Sequence, residues 1–232
     1  MRQPGTRRLV SQVLDPHNAA MLLTPRERPI LLVNLVYIPA FTVLAATRRN
    51  YEFLLYVGVV IAVAAWILLI QRRVRFSGTV LWGLTAWGLL HMAGGNLDAG
   101  DGVLYGLELV RLAPRWNILR YDQAVHAFGF GVATLLCHQL LVPQLKPGAG
   151  TRPVVLLLVA LMGCGLGAVN EILEFVAVVS FPETGVGGYE NTLLDLVFNA
   201  LGALLAVMYL RVRGTLTARS EGLQTSGEQA PA

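Results

Sequence analysis

Three pairs of polar side chains interrupt the apolar stretches of this 232-residue chain, at spacings that place each pair on one face of a helix. The first pair is Asp122 with His126, at the head of an apolar run that continues to Val142. The others are Glu171 with Glu174, and Asp195 with Asn199. A histidine beside carboxylates suits general acid–base catalysis near neutral pH, because a carboxylate can orient the imidazole.

The same residue types also bind metal ions. Imidazole and carboxylate groups suit zinc, manganese or magnesium, and a bound ion would polarise a phosphate or amide oxygen. The predicted catalytic set is His126, Asp122, Glu171, Glu174 and Asp195; the candidate metal ligands are His126, Glu171, Glu174 and Asp195; His91 and Asn199 support both. The spacing matches no known metal motif, which leaves the identity of any cofactor open between a divalent metal and none.

Composition assigns these residues to a membrane protein. Hydrophobic residues make up 55% of the chain and charged residues 14%, whereas soluble domains carry about 25% charged residues. The mean hydropathy is +0.58. The formal net charge of +4 comes mainly from arginines in short loops between apolar segments, which indicates membrane topology rather than nucleic-acid binding. The expected partners are therefore membrane lipids and a lipid-linked substrate.

The apolar segments predict an all-α fold with about six transmembrane helices, because each is near the ~20 residues that cross a bilayer. The predicted spans are 30–46, 53–70, 78–93, 122–142, 153–179 and 191–210. They form a membrane domain, 29–212, between a leader at 1–28 and a disordered polar tail at 213–232. The long loop at 94–121 includes a segment, 103–112, that is apolar enough for a short interfacial or re-entrant helix.

The distribution of basic residues predicts the orientation. With six spans both termini share one side, and that side carries 13 of the 18 lysines and arginines. The positive-inside rule then places both termini in the cytoplasm of a bacterial inner membrane. In this arrangement the polar pairs and His91 lie at a similar depth in the outer leaflet. Ionisable groups facing lipid there would together cost ~10 kcal/mol, so we expect them to face each other or a wet cavity.

Three functions fit such a pocket. The first is binding or processing of an envelope lipid or lipid-linked headgroup. The second is proton- or cation-coupled transport of a small molecule, although the inner halves of the spans hold few ionisable groups apart from His138. The third is a non-catalytic hydrogen-bonded network that sets the register between helices. The motifs of serine hydrolases, P-loop nucleotide-binding proteins and zinc proteases are absent from the sequence.

The order of these motifs resembles that of bacterial VanZ-like and YjdF-like inner-membrane proteins. The resemblance covers about residues 91–210 and is carried by four motifs: His91-x-x-Gly94, Tyr121-Asp122-Gln123-x-x-His126, Glu171-x-x-Glu174 and Asp195-x-x-x-Asn199-x-x-Gly202. The chain departs from the VanZ-like pattern where Glu174 and Phe175 follow Glu171 in place of a glutamine. The resemblance implies an integral membrane protein linked to the cell envelope or to the glycopeptide response.

Overall fold

The computed structural model describes residues 24–25, 27–112 and 118–227, with side chains to residue 215. Within these residues the chain forms six α-helices: α1 Arg28–Thr47, α2 Tyr51–Val74, α3 Gly78–Asn96, α4 Tyr121–Leu141, α5 Pro153–Ser180 and α6 Tyr189–Gly227. A short antiparallel hairpin, β1 Asp98–Ala99 with β2 Gly102–Val103, follows α3. The prediction of an all-α fold with about six helices is confirmed.

Five of the helices in the described chain are long and apolar enough to cross a membrane. The remaining helix, α3, has 19 residues and buries Thr85 and Asn96. Large apolar side chains on the spanning helices are exposed, among them Leu69 at 75% and Phe175 at 63%. Such side chains are compatible with a lipid environment and would be costly in water, since burial of a large apolar side chain contributes ~1.5–3 kcal/mol.

Local sequence signals define where several helices begin. The side chains of Asn50 and Ser77 cap α2 and α3 by accepting hydrogen bonds from backbone N–H groups three residues later. Prolines stand at the start of α1 and α5, where the missing N–H leaves no hydrogen bond unmade. The boundaries of the predicted spans lie within a few residues of the observed helix ends as far as the end of α5.

Two predictions at the edges of the helices are wrong. The segment 103–112 forms only a single 3₁₀ turn, Leu104–Gly106, because Gly106 lies within the segment and disfavours a longer helix. The predicted disordered tail from residue 213 is helical as far as Gly227, since α6 continues without a proline to stop it. Most of the predicted leader at 1–28, and residues 228–232, lie outside the described residues.

The helix α4 lies at the centre of the bundle, where it packs against α3, α5 and, most extensively, α6. The contact between α4 and α6 is close enough that a Cβ atom built on Gly202 would lie 2.0 Å from the backbone oxygen of Ala127. Only glycine permits this approach of the two backbones. The helix α1 packs on α2 and α3 at the other side of the bundle.

The hairpin is tied to the first helix pair by an exposed ion pair. The guanidinium of Arg48 donates two hydrogen bonds of 2.9 Å to the carboxylate of Asp98, and it donates a third to the backbone oxygen of Asn96. The hydrogen bonds from Arg48 hold the pKa of Asp98 below its usual value. The ion pair therefore fixes the position of the hairpin that precedes Tyr105.

Candidate functional site

His126 lies at the centre of a polar cluster between α4, α5 and α6. Its imidazole is 5% exposed. The Nδ1 atom is 2.9 Å from Oδ1 of Asn199, and the Nε2 atom is 3.4 Å from Oδ1 of Asp122. An amide oxygen can only accept a hydrogen bond, so Nδ1 carries a proton, and Nε2 is the ring nitrogen that faces the carboxylates of Asp122 and Glu174. The expected carboxylate partner that orients the ring is thus replaced by the amide of Asn199.

The start of α4 positions this imidazole. Gln123 accepts hydrogen bonds from the backbone N–H groups of Leu119 and Arg120 at 2.6 and 3.1 Å, which caps the first turn of the helix. Asp122 and His126 follow within the same two turns and share a face. The local sequence therefore orients the acid and the imidazole together, as their spacing predicts.

The two glutamates of α5 approach different nitrogens of the His126 ring. Oε1 of Glu171 is 3.7 Å from Nδ1, and Oε1 of Glu174 is 3.9 Å from Nε2. Asn199 also donates to Oε1 of Glu171 over 3.4 Å. The two glutamates of α5 therefore lie against the Asp122–His126 pair of α4, and both pairs contact side chains of α6.

Asparagines donate hydrogen bonds to the carboxylates of this cluster. Nδ2 of Asn191 donates to Oδ2 of Asp195 over 2.6 Å and to Oδ2 of Asp122 over 3.4 Å. Asn170 donates to Oε1 of Glu174 over 2.7 Å. Asp195 is fully buried, and its other oxygen, Oδ1, finds no hydrogen-bond partner among the described residues. The same holds for Oε2 of Glu171, so two buried carboxylate oxygens are left to interact with something else.

A polar cavity of about 390 Å³ adjoins this cluster. Its walls come from α2, α3, the hairpin region, α4, α5 and the turn before α6; they include Glu52, Tyr56, His91, Arg120, Asp122 and Glu174. Asp122 and Glu174 contact both the cavity and His126. Nε of Arg120 is buried without a hydrogen-bond partner in the described part of the chain. The cavity therefore offers both acidic groups and one unsatisfied cationic donor.

Tyr105, in the turn after the hairpin, closes one wall of the polar cavity. Burial raises the pKa of its hydroxyl well above the usual value, so the group stays protonated at neutral pH. The hydroxyl is hydrogen-bonded to Nδ1 of His91. His91 is thus bound to Tyr105 rather than to the His126 cluster, although it lines the same cavity.

A second cavity, of about 190 Å³, lies between α1, α2 and α3. Apolar side chains such as Val60, Ala64 and Leu84 line most of it. Tyr56 and His91 line this apolar cavity and the polar cavity alike. The two cavities therefore adjoin each other. One is lined largely by polar side chains and the other mainly by apolar ones.

The structure brings the five predicted catalytic residues and Asn199 into one cluster, and it places His91 at the edge of the adjoining cavity. Whether these residues perform chemistry remains a prediction. The sequence analysis missed Glu52, which is buried and accepts a hydrogen bond from the backbone N–H of Gly185 at 2.6 Å. An acidic residue directly before the apolar run of α2 was the available signal.

Fold and site together define a polytopic helical membrane protein with a buried cluster of one histidine and four carboxylates. Residues 29–215 match a family described as predicted membrane protein (DUF2238), and the chain belongs to that family. Comparison with curated proteins and with solved structures gives no match. The family description contains neither of the names VanZ-like and YjdF-like, so that resemblance stays a prediction.

Proposed function

We propose that this protein binds an envelope lipid, or a lipid-linked headgroup, in a site embedded in the bacterial inner membrane, and acts on the headgroup with the His126 cluster. The observation that carries the proposal is the meeting of an apolar and a polar cavity at Tyr56 and His91. A ligand with an apolar chain and a polar head matches this pair of spaces, because each part enters surroundings of its own polarity.

The apolar cavity has the length expected for a lipid chain. Its walls include Tyr56 near the start of α2 and Gln71 near the end. These residues are separated by ~22 Å at 1.5 Å of rise per residue, most of the ~30 Å hydrocarbon core. The exposed apolar surface of the surrounding helices would place the cavity within the acyl-chain region.

The polar cavity favours an anionic headgroup such as a phosphate. Arg120 supplies a buried N–H donor that the described residues leave unpaired, and a phosphate oxygen would accept from it. Asp122 and Glu174 line the same cavity and lie close to Nε2 of His126. Asn199 holds Nδ1 of His126, so the ring presents Nε2 towards these acids.

Lipid co-purification tests the proposal. In Ala64→Phe the ring would fill the apolar cavity, whereas Ala65→Phe, one position along, places the same ring on the exposed side of α2. We expect purified natural protein and Ala65→Phe to retain the same lipid in extracts analysed by mass spectrometry. The Ala64→Phe variant should retain at least tenfold less. Equal retention by all three proteins would refute binding in this cavity.

A second measurement separates this proposal from transport. A proton-coupled transporter reconstituted in vesicles would change the internal pH when its substrate is added. The lipid-binding proposal predicts no such change with water-soluble substrates. It also predicts that Arg120→Gln weakens retention of anionic lipids while leaving neutral lipids unaffected. Loss of both classes together would point to a disrupted fold.

A further inference from the structure

We infer that the buried cluster binds one divalent transition-metal ion, through Nε2 of His126 and carboxylate oxygens of Asp122, Glu174 and Asp195. The inference concerns the cluster behind the polar cavity and does not depend on lipid binding. It starts from two overlapping groups, in each of which three residues offer ligand atoms within 4.8 Å of one another. The groups are Asp122, His126 and Asp195, and His126, Glu171 and Glu174.

The distances around Nε2 are close to those of a metal-bound set. Ligand atoms that surround an ion tetrahedrally at ~2.1 Å lie ~3.4 Å from one another. Nε2 of His126 is 3.4 Å from Oδ1 of Asp122 and 3.9 Å from Oε1 of Glu174. The separation to Asp122 already matches this value, and the Glu174 carboxylate must move towards the group of Asp122, His126 and Asp195 to complete the coordination.

The proton position on His126 leaves the correct nitrogen free. Nδ1 donates to the amide oxygen of Asn199, so Nε2 is the ring nitrogen that faces the acids, and it releases any proton when an ion binds. Metal-binding histidines nearly always have their other ring nitrogen hydrogen-bonded in this way, which fixes the tautomer and the ring orientation.

Asparagines support the carboxylate ligands as well. Asn191 binds Oδ2 of both Asp122 and Asp195, which leaves Oδ1 of each acid for the site. Asn170 holds Glu174 from the preceding turn of α5. An asparagine therefore orients every proposed ligand, and an amide can do so without adding a charge that competes with the ion.

Buried carboxylate oxygens without a hydrogen-bond partner support a cation site in this cluster. Oδ1 of Asp195, a residue with no exposed surface, and Oε2 of Glu171, which is 8% exposed, find no hydrogen-bond partner in the described residues. Asp195 also offers an oxygen within 4.8 Å of ligand atoms of Asp122 and His126. Several carboxylates buried around one imidazole repel one another, and a divalent ion would remove that repulsion.

The donor types select among metals. One imidazole nitrogen with three carboxylate oxygens suits Mn²⁺, Fe²⁺ or Zn²⁺. Mg²⁺ prefers oxygen and water ligands and is expected to compete poorly here. The inference thus specifies one transition-metal ion per chain, bound in the presence of excess Mg²⁺.

Metal binding can be measured on the full chain in detergent. Protein stripped with a chelator is equilibrated with Mn²⁺ or Zn²⁺ in the presence of excess Mg²⁺, passed through a desalting column and analysed by mass spectrometry for metals. We expect close to one Mn²⁺ or Zn²⁺ per chain and a higher melting temperature than for the stripped protein. Stoichiometry near zero for both ions in the natural chain would overturn the inference.

Near-isosteric variants identify the ligands without leaving a cavity. Asp195→Asn and Glu174→Gln should each lower the affinity at least tenfold, and loss of the supporting amide in Asn191→Ala should lower it ten- to hundredfold. His138→Gln is the matched control, because His138 is on the same helix with Nε2 bound to the backbone oxygen of Gly150. Unchanged affinity in Asp195→Asn and Glu174→Gln would refute the assigned site.

The same experiment separates this inference from the proposed function. The lipid-cavity variant Ala64→Phe should bind the ion as the natural chain does, because Ala64 lines only the apolar cavity of the two described. Loss of lipid with retained metal would therefore leave the metal site intact. Loss of metal in Ala64→Phe, with helix content unchanged, would contradict the separation of the two sites.

Discussion

Replacing Gly202 with alanine should disrupt both the stability of the bundle and the His126 cluster. A Cβ atom at this position would lie 2.0 Å from the backbone oxygen of Ala127 and 2.9 Å from the backbone nitrogen of Gly131. Neither obstacle is a flexible side chain, so α4 and α6 must separate. Ordinary contact begins at 3.4 Å, which requires a shift of about 1.4 Å at this level of the bundle.

That shift reaches the functional cluster because Asn199 is three residues from Gly202 on α6, and His126 is next to Ala127 on α4. Added to the 2.9 Å between Nδ1 of His126 and Oδ1 of Asn199, it exceeds hydrogen-bond distance. Overpacking costs ~1–3 kcal/mol, and leaving a buried polar group unpaired costs ~1–3 kcal/mol more. The expected loss is therefore ~2–6 kcal/mol, a large part of a typical folding free energy.

Thermal unfolding in detergent, followed by tryptophan fluorescence, measures this effect. Gly165→Ala is the matched control, because a Cβ atom at Gly165 of α5 would meet nothing within 4 Å. Alanine favours a helix over glycine by up to ~1 kcal/mol, so the control should unfold at the same or a higher temperature. If Gly202→Ala unfolds at the temperature of Gly165→Ala, the close approach of α4 and α6 is wrong.

Two further predictions concern the segments that connect the helices. Glu52→Gln should raise the rate of amide hydrogen exchange at Gly185, because the 2.6 Å bond to its N–H loses a charged acceptor; an unchanged rate would show that this bond does not hold the turn. The predicted orientation is tested with cysteine variants in cells, in a chain whose native cysteines are replaced: Asp101→Cys should react with a membrane-impermeant thiol reagent added outside, and Lys146→Cys should not. The opposite pattern would invert the topology.

The local parts of the site could be predicted because they depend on spacing within one helix. Asp122 and His126 share a face of α4 wherever the helix packs, and the same is true of Asp195 and Asn199 on α6. The cost of an ionisable group in lipid then requires the pairs to turn inward. These two principles explain why the predicted residues meet in the structure.

Other features could not be predicted because they depend on contacts between distant segments. The hydrogen bond from the backbone N–H of Gly185 to Glu52 joins residues 133 positions apart, and no pattern near Glu52 identifies its partner. Likewise, Tyr105 reaches His91 because of the hairpin that reverses the chain after α3. The interfacial or re-entrant helix predicted for residues 103–112 gave no indication of this contact.

Composition and periodicity by themselves determined that the chain is a membrane protein of about six helices and that its acids and histidine lie on inward faces. Only the tertiary structure decided that Asn199, rather than a carboxylate, binds Nδ1 of His126. The physical reason is that hydrophobicity specifies which face of a helix is buried, whereas the register between two helices depends on interatomic contacts. Those contacts tolerate displacements of only a few tenths of an ångström. Here the register of α4 and α6 is set where the backbones meet at Gly202.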